Sequence, residues 1–356
     1  MKAFEKNIRK VEPYVPGEQP KNKVIKLNTN ENPYPPAPKV EEVLRTMDTD
    51  RLRLYPDPTA SLLVDALAEY HHVSSDQIFV GVGSDDVLAL CFLTFFNSEK
   101  PILFPDITYS FYKVWAQLYR IPYECPKLDE DFKIKREDYY KENGGIIFPN
   151  PNAPTAIYEK LEFVEDILIH NPDVIVIVDE AYIDFAGESA VRLVDKYENL
   201  VVVQTFSKAR SMAGMRIGYA ISNKKLIRYL NDVKHSFNSY TMNQTSILCG
   251  VEAIKDQVYF EENIQKVKET REWTKQQLSA LGFQYTGSDA NFIFVTHPVY
   301  NAKQLFQALK KEGIYVRFWG SERIEEYLRI TIGTQKEMET FVTFLKNYIE
   351  KGETSC

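Results

Sequence analysis

The stretch Thr205-Phe-Ser-Lys-Ala-Arg-Ser-Met-Ala-Gly-Met-Arg-Ile-Gly-Tyr219 follows the apolar run Leu200–Val203. Such a run, without alternation, predicts a strand that is buried on both faces of a sheet. Lys208 therefore lies just past a strand end, beside Ser207, and Arg216 follows eight residues later. Taken alone, this pattern leaves three interpretations open for the lysine: an amine nucleophile, a phosphate ligand or a solvated loop charge.

An acidic residue ends the preceding apolar run. Val174–Val178 also predicts a buried strand, Asp179 follows it directly, and Tyr182 comes three residues later. Because the carboxyl ends of parallel strands meet at the edge of a sheet that binds ligands, Asp179 and Lys208 are predicted to face one crevice. Pyridoxal phosphate needs a lysine amine for a Schiff base, a carboxylate at its ring nitrogen and donors for its phosphate. The residues around this crevice supply all three.

Further apolar runs extend outwards from this pair, with segments of helical spacing between several of them. This alternation predicts an α/β fold: a large three-layer domain with a mostly parallel sheet. After Lys255 the pattern changes to a long polar helix, three strands and a final helix, which predicts a smaller α+β domain. The predicted divisions are an N-terminal arm that joins the small domain at 1–27, the large domain at 28–251 and the small domain at 252–356. The other predicted strands are Gln77–Gly81, Pro101–Phe104, Gly145–Phe148, Asn291–Val295, Tyr315–Trp319 and Tyr327–Ile332.

Length and composition limit the classes of function. The 356 residues are 44% hydrophobic and 26% charged, which is typical of globular proteins and excludes a disordered or collagen-like chain. A net charge of −7 provides no general attraction to nucleic acid or anionic lipid, so any anion site must be local. The four cysteines fit neither a disulfide framework nor a metal site, and Cys356 is expected to be an exposed thiol. Without a signal peptide or membrane span, the protein is predicted to be cytoplasmic.

The ordered set of motifs resembles one enzyme family over nearly the whole chain. It is similar to the fold-type I pyridoxal-phosphate aminotransferases, and among them to the histidinol-phosphate aminotransferases. The resemblance implies transamination between L-histidinol phosphate and 2-oxoglutarate in histidine biosynthesis, by a homodimer that uses pyridoxal 5'-phosphate. The products are imidazole-acetol phosphate and L-glutamate. The matching motifs are Gly83-Ser-Asp-Asp86, Asn150-Pro-Asn-Ala-Pro-Thr155, Asp179-Glu-Ala-Tyr182, Ser207-Lys208 followed by Arg216, and Leu328-Arg-Ile-Thr331.

The resemblance also implies roles for individual residues at the cofactor. Lys208 is expected to hold the cofactor as a Schiff base and then to move the substrate proton. Asp179 is expected to keep the ring nitrogen charged, and Tyr182 to donate a hydrogen bond to the ring oxygen. The other residues that the resemblance assigns to the cofactor are Ser207 and Arg216 at the phosphate, the backbone amides of Gly83, Ser84 and Asp85 around it, Tyr109 stacked on the ring, and Tyr55 from the partner subunit.

Candidate substrate ligands lie near both ends of the chain. Arg329 falls on the face of its predicted strand opposite the apolar side chains, and the resemblance implies a two-pronged contact with the substrate carboxylate. Tyr14 and Arg317 match the residues that bind the substrate phosphate in the family. Asn32 lies near the expected mouth of the site, although a turn residue before Pro33 is an equal interpretation.

The sequence departs from the family pattern at one cofactor position. The family asparagine that comes directly before Pro-Thr is replaced by Ala153, which has no side-chain donor. Asn152, one residue earlier, is predicted to take over the contact with the cofactor, or Tyr182 makes that contact alone.

Three other functions compete with this interpretation. An aromatic or broad-specificity amino-acid aminotransferase requires the same cofactor residues, and a threonine-phosphate decarboxylase resembles the same motifs. A binding or regulatory protein that keeps the fold without the chemistry is disfavoured, because Lys208, Asp179, Tyr182 and Arg216 have no evident role without the cofactor.

Overall fold

The computed structural model describes residues 2–353, and the predicted thiol of Cys356 lies outside them. The strands are β1 Ile25–Lys26, β2 Ile78–Gly81, β3 Ile102–Leu103, β4 Tyr123–Glu124, β5 Ile146–Pro149, β6 Val176–Asp179, β7 Leu200–Thr205, β8 Gly218–Ser222, β9 Gln284–Tyr285, β10 Phe292–Thr296, β11 Ile314–Tyr315, β12 Arg317–Phe318 and β13 Leu328–Thr331. The helices are α1 Pro38–Thr46, α2 Ser61–His71, α3 Ser84–Phe95, α4 Phe111–Tyr119, α5 Leu161–His170, α6 Lys224–Phe237, α7 Gln244–Lys255, α8 Gln257–Ala280, α9 Ala302–Lys311 and α10 Gln335–Glu353.

A seven-stranded sheet is built from strands between residues 78 and 222, in the order β2-β8-β7-β6-β5-β3-β4. β8 is antiparallel to both of its neighbours, β2 and β7, and all other neighbours in the sheet pair in parallel. The sheet is therefore mostly parallel, as predicted. The sequence interpretation missed β8, because its apolar run is short and begins at Gly218.

The central strands are apolar throughout because both faces of the sheet are covered. In β6, Val176 and Val178 belong to one buried cluster, together with residues of α2, α5 and α7. Ile177, between them, points to the opposite face and packs in a second cluster with residues of α3, α4 and α6. This arrangement gives three layers, with a helical layer on each side of the sheet.

A smaller antiparallel sheet of four strands is formed by residues 284–331, in the order β12-β13-β10-β9, and has its own buried cluster. The predicted strand Tyr315–Trp319 is divided here. Its first part is β11, which pairs in parallel with β1 of the N-terminal segment, and its second part is β12, which pairs with β13. Leu27 belongs to the same cluster, so the N-terminal segment packs on this part of the molecule.

The helix α7 crosses the predicted division between residues 251 and 252. Its residues Ala253 and Ile254 belong to the buried cluster of the large sheet. The divisions at 1–27, 28–251 and 252–356 stay a prediction. Among the helices formed by residues 2–353, none has the length and hydrophobicity needed to cross a bilayer.

Candidate active site

A cavity of about 560 Å³ opens where β6 and β7 end, between the large sheet, the start of α3 and the small sheet. This position matches the general rule that parallel sheets bind ligands beyond the carboxyl ends of their strands. Eleven of the residues predicted from the sequence line it: Tyr14, Ser84, Asp85, Tyr109, Asp179, Tyr182, Ser207, Lys208, Arg216, Arg317 and Arg329.

Lys208 lies three residues past the end of β7. Its Nζ donates a hydrogen bond of 3.1 Å to the carbonyl oxygen of Thr29 and lies 5.8 Å from the ring centroid of Tyr182. The loop before it is held by Thr205, whose Oγ1 donates to Ser207 Oγ and accepts from the Ser207 amide. The strand end and this small turn therefore direct the amine towards the cavity.

Asp179 is the last residue of β6 and is only 4% exposed. Tyr112 Oη donates a hydrogen bond of 2.8 Å to its Oδ2, and the Ala181 amide donates one of 3.2 Å to its Oδ1. Burial raises the pKa of the Asp179 carboxyl to about 6, although both hydrogen bonds act against this shift. A nearby cation would therefore stabilise the charged carboxylate.

Tyr182 packs its ring edge-on against Phe292, with the two centroids 5.0 Å apart. Its hydroxyl accepts a hydrogen bond of 2.9 Å from Asn30 Nδ2. Asn30 is itself buried, since Thr331 Oγ1 donates to its Oδ1 and accepts from its backbone amide. The N-terminal segment and β13 thus fix the position of the tyrosine hydroxyl.

The start of α3 provides an anion-binding surface. No side chain caps this helix, so the first backbone amides of the helix are available to a bound anion. Gly83 has a φ of +85°, and a Cβ at this position would lie 2.5 Å from Arg216 Nη2. A Cβ at Gly218 would lie 2.2 Å from the Ser84 amide nitrogen. Only glycine therefore lets the arginine and β8 approach the helix this closely.

The side chain of Asp85 connects two of the predicted cofactor residues. Its Oδ1 accepts a hydrogen bond of 2.8 Å from Tyr109 Oη, and its Oδ2 lies 3.3 Å from Arg216 Nη2. Burial and then the charge of Asp85 raise the pKa of Tyr109 well above its usual value, so this hydroxyl stays protonated as a donor. The carboxylate of Asp85 orients the aromatic ring and the guanidinium.

Two arginines form the opposite wall of the cavity. Arg317 and Arg329 are direct cross-strand partners in the β12–β13 pair. Arg329 Nη2 donates to the carbonyl oxygen of Asn28, whereas its buried Nε has no hydrogen-bond partner among the described residues. Arg317 donates to the carbonyl oxygens of Val15 and Pro16, next to Tyr14. The pair therefore offers unused positive charge to an anion in the cavity.

A family model described as "Aminotransferase class I and II" matches residues 22–345. A "Histidinol-phosphate aminotransferase" of Clostridium botulinum (strain Langeland / NCTC 10281 / Type F) is 52% identical over 99% of this chain and 100% of its own length. One from Lactococcus lactis subsp. cremoris (strain MG1363) is 50% identical over 99% of both chains. The chain belongs to the histidinol-phosphate aminotransferases. The predictions of the family and of the enzyme class are confirmed.

A solved structure supports the fold. The histidinol-phosphate aminotransferase of Sinorhizobium meliloti, in complex with pyridoxal-5'-phosphate, superposes with a TM-score of 0.84. It is 22% identical, and the match covers 92% of each chain. The predicted fold class is confirmed, and that structure contains the cofactor that the sequence predicts for this chain.

The residues of the cavity fit this cofactor. An uncapped helix start beside Arg216 suits a phosphate, and a buried carboxylate on β6 suits a protonated ring nitrogen. Lys208 is half-buried, and among residues 2–353 no carboxylate lies within ion-pair distance of it. Its amine is thus available to a carbonyl compound bound between these two groups.

Two residues predicted from the sequence to bind the cofactor or the substrate do not line the cavity. Asn152 does not line the cavity, and its amide already has hydrogen-bond partners: Nδ2 donates to the Ile107 carbonyl and to Thr155, and Oδ1 accepts from Thr108. Asn32 also lies outside the cavity wall, since its Nδ2 donates to the Ala209 carbonyl and its Oδ1 accepts from the Tyr34 amide. The bond from the Tyr34 amide agrees with the alternative interpretation of Asn32 as a turn residue before Pro33.

Gly83 and Tyr55 also lie outside the cavity wall of this chain. Gly83 supports the site through its close approach to Arg216. Tyr55 is 81% exposed and stacks on Tyr240 at a centroid distance of 4.6 Å. Its predicted contact with the cofactor phosphate is in the active site of a partner subunit, and this contact stays a prediction.

The sequence interpretation missed two residues next to the cofactor groups. Tyr112 follows Tyr109 by three residues, so both side chains share one side of the helix start, and this spacing could have indicated it. Asn30 lies in the run Asn28–Pro33, where asparagine stands at positions 28, 30 and 32. This alternation does not indicate which of the three asparagines reaches the Tyr182 hydroxyl.

Proposed function

We propose that this chain transfers the amino group of L-histidinol phosphate to 2-oxoglutarate, with Lys208 and Asp179 as its central cofactor residues. The observation that supports the proposal is the shared cavity, in which the amine and the buried carboxylate face an arginine pair without an acidic partner. The reaction yields imidazole-acetol phosphate and L-glutamate, a step of histidine biosynthesis.

Pyridoxal phosphate supplies a carbonyl carbon that captures the substrate amine and a ring that withdraws electrons from the substrate. In our proposal Asp179 holds a proton at the ring nitrogen, because its buried carboxylate gains stability from a cation beside it. Tyr182 and Asn30 hold the ring oxygen, in place of the predicted Asn152. The backbone amides of Ser84 and Asp85, together with Ser207 and Arg216, hold the phosphate.

Lys208 is proposed as the base that removes the proton from the substrate carbon bearing the amine. Its Nζ is close to the Tyr182 ring and, within the described residues 2–353, is held only by a backbone carbonyl, at 3.1 Å. Such a neutral acceptor leaves the amine free to change partners. A carboxylate at the same place would hold the ammonium form and oppose proton removal.

The arginine pair is proposed to accept both substrates in turn. Histidinol phosphate has no carboxylate, whereas glutamate has no phosphate, so one cationic wall must serve both anions. The guanidinium groups of Arg317 and Arg329 match the geometry of either group. Tyr14 lies beside them on the N-terminal segment and is proposed to contact the substrate phosphate.

We propose that the enzyme is a cytoplasmic homodimer in which Tyr55 reaches the partner's cofactor phosphate. Large apolar side chains are exposed at Tyr55, at Leu52 and Leu54 beside it in sequence, and at Tyr240, on whose ring Tyr55 stacks, and others are exposed on α1, α2, α6 and α8. Apolar surface of this extent is typical of a covered interface. The exposed residues are Leu44, Leu52, Leu54, Tyr55, Leu62, Phe237, Tyr240 and Val258.

Mixing two inactive variants tests the shared site. K208A lacks the amine in its own chain, and Y55A lacks the residue that is donated to the partner. A mixed dimer regains one site with both residues, so activity should recover after the two variants are unfolded and refolded together. If the mixture stays as inactive as its components, or if the protein is monomeric in sedimentation, Tyr55 does not act across an interface.

The function is tested by titrating the cofactor-loaded protein with single amino donors. Histidinol phosphate and glutamate should each convert the visible absorption of the bound cofactor to that of its amine form at low concentration. K208A is the control and should show no conversion. A preference for phenylalanine would indicate an aromatic aminotransferase, and release of carbon dioxide from phosphothreonine would indicate a decarboxylase. Either result would overturn the proposed substrate.

A further inference from the structure

Trp319 contacts both arginines of the substrate wall. It follows β12, and its half-buried ring lines the cavity. Arg329 Cζ lies 5.1 Å from the ring centroid and Arg317 Cζ lies 5.3 Å from it. Both distances are within the range in which a guanidinium is attracted to the face of an indole. One neutral side chain thus serves as a common partner of two cations.

The two arginines need such a partner because their charges oppose each other. Like charges at directly opposed positions of an antiparallel pair destabilise it, and Arg317 faces Arg329 in this register. Among residues 2–353, no carboxylate lies within ion-pair distance of either guanidinium. Burial lowers the pKa of Arg329, and the charge of Arg317 acts in the same direction. Aromatic rings contact the guanidinium groups in place of a carboxylate. Besides Trp319, the ring of Phe292 lies 5.3 Å from Arg329 Cζ.

The position of Trp319 is determined by groups other than the arginines. Its ring packs against an apolar cluster that contains Ile107 and Leu128 from the large part of the molecule and Ile324 from its own segment. Arg323, four residues later, donates to Asp106 and to the carbonyl oxygens of Leu128 and Asp129. The indole is therefore held in place before any substrate arrives.

We propose that Trp319 is a positioning residue that keeps Arg317 and Arg329 together, without a counterion, as a preformed site for the phosphate of one substrate and the carboxylate of the other. This inference rests on the proposed function, since it takes the arginine pair as the substrate wall. A carboxylate in place of the indole would neutralise the pair and compete with both substrates. The indole stabilises the two charges without accepting any of their hydrogen bonds.

Steady-state kinetics of the loaded enzyme test the positioning role. W319L should raise the KM for histidinol phosphate and for 2-oxoglutarate by about tenfold each, with a much smaller change in kcat. W319F keeps an aromatic face and should recover most of the loss. F318L is the matched control, because Phe318 is the neighbouring residue and packs on Phe306 at 5.6 Å instead of on the arginines. Wild-type KM values for W319L, or equal losses in W319L and F318L, would overturn the proposal.

Intrinsic fluorescence provides a second measurement that does not depend on turnover. The chain has three tryptophans, and Trp273 on α8 does not line the cavity. Titration of the loaded enzyme with inorganic phosphate should change the emission of the wild type and of W273F, but not that of W319F. An unchanged response in W319F would contradict the proposal. If phosphate gives the expected pattern but histidinol phosphate is not converted, the proposed substrate fails while the role of Trp319 stands.

Discussion

The hydroxyl of Tyr112 donates a hydrogen bond to Asp179 Oδ2, and both side chains are buried. Asp179 Oδ1 accepts from the Ala181 amide, so each carboxylate oxygen has one donor within the protein. These two bonds fix the plane of the carboxylate and favour its charged form. The carboxylate that we propose as the partner of the cofactor ring is thus oriented by a tyrosine that the sequence interpretation did not assign to the site.

Replacing Tyr112 with phenylalanine should weaken cofactor binding. The ring remains, but the Asp179 carboxylate loses one donor, so its pKa rises above the value of about 6. Hydrogen bonds to charged groups contribute about 1.5–3 kcal/mol, which predicts a rise in the cofactor Kd of about tenfold or more. The effect should be larger at pH 6.5 than at pH 8.5, because the neutral acid no longer attracts a cation.

Equilibrium titration of the cofactor-free protein with pyridoxal phosphate at both pH values measures this effect. Y119F is a suitable control, since Tyr119 lies on the same helix, α4, at its far end. Equal affinities of Y112F and the wild type at both pH values would contradict the role of this hydrogen bond.

The buried carboxyl of Asp179 should also make the stability of the cofactor-free protein depend on pH. Its pKa is about 6 in the folded chain and 3.8 without the protein environment, so the folded state binds more protons between these values. The contribution of Asp179 to the free energy of unfolding therefore falls as the pH rises from about 4 to 6 and then stays level, by an amount on the order of 3 kcal/mol. D179N should lack this decrease.

Urea unfolding of the cofactor-free wild type and D179N at pH 4.5 and pH 8 measures the difference. Burial also raises the pKa of Glu180, to about 7, but this residue is present in both proteins, so the comparison isolates Asp179. If both proteins change equally with pH, the carboxyl of Asp179 is not protonated in the folded chain at low pH.

The large sheet could be predicted because strands buried on both faces are uninterrupted apolar runs. β6 and β7 are of this kind, and the position of Asp179 and Lys208 at their ends followed from the sheet itself. The division of residues 314–319 between two sheets could not be predicted. The sequence is continuous there, and the division depends on pairing with Ile25 and with Arg329, which are distant in sequence.

Site residues that directly follow a strand could be predicted from the sequence. Where several similar residues lie close together in sequence, only their tertiary contacts determine which of them reaches the site, and the sequence does not show these contacts. Asn30 and Asn32 are of one type and two positions apart, yet only Asn30 reaches Tyr182. Asn152 has the right chemistry, but Ile107, Thr108 and Thr155 occupy its amide. Ile107 and Thr108 belong to a segment remote in sequence from Asn152, so local spacing could not indicate them.

Replacing Arg329 with alanine should weaken the binding of both substrates while leaving the cofactor bound. The loss of a buried two-pronged anion contact predicts a rise in KM of about 100-fold for 2-oxoglutarate and for histidinol phosphate. R329K restores the charge but not the paired donors of the planar guanidinium, so it should recover only a small part of the loss in substrate binding. The measurement is steady-state kinetics together with the cofactor Kd.

Two results would contradict this assignment. Unchanged turnover of R329A at low 2-oxoglutarate would exclude Arg329 as a substrate ligand. Loss of the cofactor from R329A would indicate a structural role, since Arg329 also donates to the Asn28 carbonyl. R136Q serves as a control for a change of charge, because Arg136 is exposed and does not line the cavity.

Replacing Arg323 with glutamine should loosen the wall that carries Trp319. The Arg323 guanidinium donates to Asp106 at 3.0 Å and to the carbonyl oxygens of Leu128 and Asp129 at 3.0 and 2.9 Å. These bonds join the segment after β12 to loops of the large part of the molecule, and all three are lost together in R323Q. Hydrogen exchange should therefore become faster at residues 106–108 and 128–132, and the KM for both substrates should rise by a few fold.

K346Q is the control, because it changes an exposed charge on α10 and should alter neither the hydrogen exchange nor the KM values. Unchanged exchange in R323Q would show that the apolar cluster around Ile324 holds the two parts together without the arginine.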